Sequence, residues 1–207
     1  MVAVQCLTPP IFGLVMWVLP IVPHPTLPTP HLLCQILFEN RKVGDVGNDC
    51  LLSVDGTDFH VAKSYKKPFF LYKFKKSGFW YEVALCIKTG DICWWVGPYL
   101  PGNWNNNMIF WDRLVHLLEE GERCEMDDGY QGSAPMYAKC PGVNEADPEE
   151  AEMQQRVRNH QETVNKWFKN WAILSTPYCH QLLEHQTVLV PLLSLLSFHL
   201  QKTHCSK

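Results

Sequence analysis

Three acidic residues stand where metal-assisted hydrolysis would need them. Asp55 closes the apolar run of CLLSVDGT and is followed by Gly56-Thr57. The segment EMDDGYQG, residues 125–132, sets Asp127 and Asp128 ahead of Gly129-Tyr130. Glu162 lies in RVRNHQETVNKWF, a stretch of helical pattern. Mg²⁺ and Mn²⁺ take hard oxygen ligands, commonly a few carboxylates beside waters and phosphate oxygens. Two such ions about 3.5–4 Å apart can activate a nucleophile and stabilise a leaving oxygen. The carboxylates must then arrive from separate elements, such as neighbouring strand ends and a facing helix. Each residue also has a plainer reading. Asp-Gly pairs make turns, and Arg158, Glu162 and Lys166 at i−4, i and i+4 form an ion-pair ladder on a solvated face. At 100° per residue Glu162 lies about 140° from Val157, away from the apolar stripe. Adjacent strand residues face opposite sides, so only one of Asp127 and Asp128 can join Asp55.

The surrounding pattern supplies the elements. CLLSVDGTDFHV (50–61) predicts a buried strand ending at Asp55-Gly56-Thr57. PFFLYKFKK and GFWYEVALCI are β-rich runs, and Ser77-Gly78 between them predicts a hairpin turn. DICWWVGPYLPG predicts a strand stopped by Pro98 and Pro101. Apolar residues at 110, 114, 117 and 118 have helical spacing, with Gly121 as terminator. RCEMDDGY is a short strand with a turn, and 135–150 a loop. Residues 151–174 predict a helix with Val157, Val164, Phe168 and Trp171 as its stripe. HQTVLVPLLSLLSFHL, interrupted by Pro191, predicts a core helix rather than a membrane span. Strands followed by alternating and then terminal helices give an α/β class, a mixed sheet flanked by helices.

Composition narrows the function. The chain has 207 residues, 46% of them hydrophobic, enough for one domain with a real core. Its net charge of −3 excludes a uniformly cationic DNA binder, so any nucleic-acid contact must be local. The nine cysteines are scattered with no C-x-x-C, which argues against structural zinc and suits reduced thiols in an intracellular protein. Residues 1–38 hold seven prolines and no Asp, Glu, Lys or Arg, predicting a poorly ordered extension ahead of a folded region over 39–199 and a tail at 200–207. Lys63, Lys66, Lys67, Lys73, Lys75 and Lys76 interleave with aromatics over 62–81, where no acidic residue occurs. Lysines neutralise phosphates and aromatics stack on unpaired bases. A hairpin with lysines on its solvent face explains the same alternation. Conversely, eleven of the 21 acidic residues lie in 119–152, a patch that repels DNA except where a cation intervenes.

SVDGT, FWYEVALCIKTGDICWWVGPYLPGNW, GERCEMDDGYQG and RVRNHQETVNKWFKNW, in that order, resemble the DDE-type endonucleases of Harbinger-class transposases, especially fungal ones. The resemblance spans about 39–199 and implies a ribonuclease H-like fold. It also implies a catalytic and metal-binding triad of Asp55, Asp127 and Glu162, with Mg²⁺ or Mn²⁺ as cofactor. Asp127 is selected because one residue separates it from Gly129-Tyr130. The implied partner is DNA, contacted by the lysines above with Arg158 and Lys166, and the implied location of an active enzyme is nuclear. Three departures stand out. Asn106 replaces an aspartate, Trp111 an arginine and Gln161 a basic residue. Residues 1–38 do not resemble the family's DNA-reading helix-turn-helix, which implies a separate DNA-binding protein partner. These departures equally suit a catalytically inactive, transposon-derived binding scaffold.

Overall fold

The computed structural model describes residues 50–62, 67–71, 75–141 and 148–179, with 184, 185, 187–189 and 191–193. The expected extension over 1–38 and the tail over 200–207 lie outside the described residues.

The chain builds a mixed α/β sheet flanked by helices. Strands β1 (Cys50–His60), β2 (Phe70–Leu71), β3 (Lys76–Cys86), β4 (Ile92–Tyr99), β5 (Arg123–Met126) and β6 (Ala138–Lys139) form one sheet in the order β2-β3-β1-β5-β6, with β4 also paired to β3. β3 is antiparallel to β1, β2 and β4, whereas β5 is parallel to both β1 and β6.

Period-two alternation assigns the two faces. Phe59, Phe79, Tyr81, Val83, Leu85 and Trp95 pack on one side against Val164 and Phe168 of helix α2 (Pro148–Phe168) and Leu174 of α3 (Ala172–Ser175). The buried side chains of 188, 189, 192 and 193 close the same layer. Leu52, Val54, Ala84, Cys86, Trp94, Cys124 and Met126 face the other way, onto Phe110 of α1 (Asn106–Asp112), Leu114 and Tyr130. The buried cysteines at 50, 86, 93, 124 and 140 are free thiols, packing as small hydrophobes.

Several boundaries differ from the sequence expectation. β1 runs through Asp55-Gly56-Thr57 to His60, because β3 pairs with it over Leu52–His60. The β2–β3 hairpin exists, but its turn falls before Lys76 rather than at Ser77-Gly78. Both of those residues lie inside β3. Gly78 serves a close approach instead. A Cβ there would fall against Leu71 Cδ1 and 2.7 Å from the Phe59 carbonyl oxygen. Gly78→Ala is therefore expected to cost about 1–3 kcal/mol, as overpacking does. Urea unfolding checks this, and an unchanged midpoint would show that the contact relaxes freely. The Pro98 stop was also misplaced: β4 includes Pro98 on an edge position, where no ladder donor is needed. The helix expected through 118 ends at Asp112, and Leu114–Leu117 follow as a 3₁₀ turn. Within the span expected to be loop, β6 adds a short parallel strand beyond β5.

Candidate metal centre

β1 and β5 run parallel, and their last matched pair is Val54 with Met126. Both side chains sit in the core layer on the α1 side. Asp55 follows Val54 within β1, and Asp127 follows Met126 just past the end of β5. Neighbouring strands lie about 4.8 Å apart, so this register brings the backbones of the two aspartates to neighbouring positions, where β5 stops and β1 continues.

Local backbone chemistry aims each of them. Asp55 Oδ1 accepts from the Gly56 amide at 2.7 Å. Its Oδ2 accepts from Asn165 Nδ2 of α2 at 2.8 Å. Gly56 lets the indole of Trp80 lie across the strand: a Cβ there would fall 2.5 Å from Trp80 Nε1. Asp127 keeps an extended backbone and caps the 3₁₀ turn Asp128–Ser133, its Oδ1 accepting from the Gly129 amide at 2.9 Å. Asp128, the first residue of that turn, is exposed. Asn106, at the start of α1, reaches the same place. A Cβ on Gly129 would lie 2.9 Å from Asp127 Oδ1 and 3.0 Å from Asn106 Nδ2.

Beneath the pair lies a buried acid. Glu82 of β3 is fully buried and accepts from the Tyr130 hydroxyl at 2.9 Å through Oε2, while Oε1 has no partner among the described residues. Burial pushes the Glu82 carboxyl well above the ordinary carboxylate range. The Tyr130 hydrogen bond opposes this and the charge of Asp55 adds to it. The folded state thus holds a proton on Glu82 that the unfolded chain would release. Its contribution to stability is complete below the ordinary value of 4.5 and declines as pH rises toward the folded value. Burial likewise raises the Tyr130 hydroxyl, helped first by Glu82 and then by Asp55 and Asp127.

Glu162 does not join them. It is exposed and pairs with Lys166, Oε2 to Nζ 3.5 Å, with side chains 65% and 75% accessible. Among the described residues no group of three or more His, Cys, Asp or Glu side chains is placed to hold a metal. The structure does not bring Glu162 to the two aspartates; it stands instead in an ion pair on the solvated face of the helix. The reason is the phase of the helix. Gln154, Gln161, Val164 and Phe168 are the buried positions, and Gln161 Nε2 donates to the Val83 carbonyl. Asn165 lies at the rim of that face, and Glu162 lies about 60° farther out.

Two more residues escaped the sequence reading. Lys169, one turn beyond Asn165, reaches Asp58 Oδ1 at 3.3 Å, and His60 Nε2 lies 3.2 Å from Asp58 Oδ2. α2, through Asn165, and the residue just past its end, Lys169, are therefore tied to β1 by two rungs, Asn165–Asp55 and Lys169–Asp58. Spacing could not reveal them, because an amide and a strand aspartate carry no periodic signature.

Of the proposed DNA contacts, Lys63, Lys66 and Lys73 lie outside the described residues. Lys67 opens a 3₁₀ turn, and Lys75 and Lys76 are exposed. Arg158 donates to Gln155 Oε1 at 3.1 Å. Trp111, where the resemblance expects arginine, is 43% exposed and stacks edge-on against Tyr137.

The carboxylate oxygens of Asp55 and Asp127 are hard ligands of the kind that suit a divalent cation such as Mg²⁺ or Mn²⁺. The chain matches no family profile, no curated protein and no solved structure.

Proposed function

We propose that the chain is a metal-dependent DNA endonuclease domain of DDE-transposase type on a ribonuclease H-like sheet. Asp55 and Asp127 would hold Mg²⁺ or Mn²⁺. The observation that carries this reading is the Val54–Met126 register, which sets Asp55 of β1 beside Asp127 at the carboxyl end of the parallel strand β5. Ligand crevices in open α/β sheets lie at such carboxyl ends. A bound divalent ion supplies charge stabilisation on a phosphodiester and an acidified water. The protein's own part is positioning. The Gly56 and Gly129 amides fix one oxygen of each aspartate, and Asn165 fixes the other oxygen of Asp55. The exposed Lys75 and Lys76 offer phosphate contacts on the hairpin.

A second reading, an inactive DNA- or protein-binding scaffold, is favoured by Asn106 beside Asp127 and by the outward ion pair of Glu162. Nicking of supercoiled DNA separates the two. The nuclease reading expects nicking with Mg²⁺ or Mn²⁺, none with chelator, and an increase in Asn106→Asp, which adds a carboxylate beside Asp127. Absence of nicking in both wild type and Asn106→Asp would favour the scaffold.

A further inference from the structure

We infer that Asn165, rather than Glu162, is the side chain through which helix α2 meets a hard divalent cation at Asp55 and Asp127. This rests on the reading that those aspartates bind such an ion. Three observations carry it. Asn165 Nδ2 lies 2.8 Å from Asp55 Oδ2, so a donor hydrogen occupies the direction that a cation would take. Asn165 Oδ1 is buried and has no hydrogen-bond partner among the described residues. Glu162 is turned out to Lys166.

The two ends of a primary amide have nearly the same shape. Half a turn about its terminal bond exchanges Oδ1 for Nδ2 at the same place. The present orientation satisfies Asp55 with an N–H. The reversed one brings an oxygen to face a carboxylate, which is favourable only with a cation between them, and Asn carbonyl oxygens are ordinary ligands of such cations. Asn165 thus satisfies Asp55 in either state. Lys169, just past the end of α2, pairs with Asp58 and holds that end of the helix against β1.

Thermal unfolding of the full chain, in EDTA and over a Mn²⁺ titration, tests this without any activity. Mn²⁺ is expected to raise the wild-type midpoint, and Asn165→Leu to weaken apparent Mn²⁺ affinity by about tenfold or more. Asn165→Asp should melt lower in EDTA, since two carboxylates then face each other, and should gain more from Mn²⁺ than wild type. Glu162→Gln should match wild type in both media. The inference is overturned if Asn165→Leu keeps the wild-type response, or if Glu162→Gln loses it. Should Asn165→Leu fail to fold, Asn165→Asp and Glu162→Gln decide. A wild type that ignores Mn²⁺ would sink the metal reading itself. The present inference, which rests on that reading, then falls with it, whereas a Mn²⁺ response that wild type and Asn165→Leu share overturns the inference alone.

Discussion

Asp55→Asn is expected to reduce Mg²⁺-dependent nicking by at least about a hundredfold. Loss of a partner behind a metal ligand already costs 10–100-fold, so loss of a charged ligand should reach the upper end. The substitution leaves the fold nearly intact. The asparagine oxygen can still accept from Gly56, and the shape of the side chain is kept. What disappears is the negative charge at this position of β1, and a neutral amide holds a hard dication far less well. Asp128→Asn serves as the contrast, because Asp128 is exposed at the first position of the 3₁₀ turn and Asp127 makes the cap. Its nicking should stay within about twofold of wild type, as surface changes away from a site usually do. Equal nicking by wild type and Asp55→Asn would mean that the activity belongs to something other than this site.

Acid should destabilise the protein through His185. Its Nδ1 lies 2.9 Å from the Tyr81 hydroxyl, its Nε2 has no partner among the described residues, and Phe59, Phe79, Tyr81 and Tyr178 surround the ring. Burial lowers the imidazole from 6.5 to about 4. Between those values the unfolded chain takes up a proton that the folded chain refuses. Stability is therefore present above about pH 6.5 and is lost as pH falls toward about 4, by about 3 kcal/mol from this group at 1.36 kcal/mol per unit. His60 acts in the same direction, its burial outweighing Asp58. Urea midpoints at pH 7 and pH 5 measure the sum, and His185→Leu isolates the larger part. That variant should show a clearly flatter dependence than wild type. An identical slope would place the acid sensitivity elsewhere.

These residues show what was legible in the sequence. The sheet was legible wherever alternation was strong. GFWYEVALC, CWWV and CLLSV all form strands, and the stripe of Val164 and Phe168 sets the buried face of α2. The candidate pair was half legible. Asp55 and Asp127 stood out as acids at the ends of apolar runs, but their adjacency depends on a parallel register that no local pattern encodes. Gly78 was mistaken for a turn because a glycine required by Leu71 packing has the same local signature as one required by a positive φ. Glu162 illustrates a different limit. Charge attracts notice, yet a helix presents an ion-paired glutamate and a ligand with equal ease, and only the phase against β1 separates them. Asn165, Glu82 and Lys169 are tertiary facts of that kind. Glu82 in particular sits inside an apolar strand, where only the Tyr130 hydroxyl explains its acceptance.

The central claim is that Asp55 and Asp127 together bind one site's worth of divalent cation. Direct Mn²⁺ binding, followed by the loss of free-ion electron paramagnetic resonance signal on titration with protein, addresses it without DNA. The account predicts saturable binding to wild type, its loss in Asp55→Asn and in Asp127→Asn alike, and its retention in Asp128→Asn. Unchanged Mn²⁺ uptake in Asp127→Asn would contradict it, because the second carboxylate would then be only a cap for the turn that follows β5.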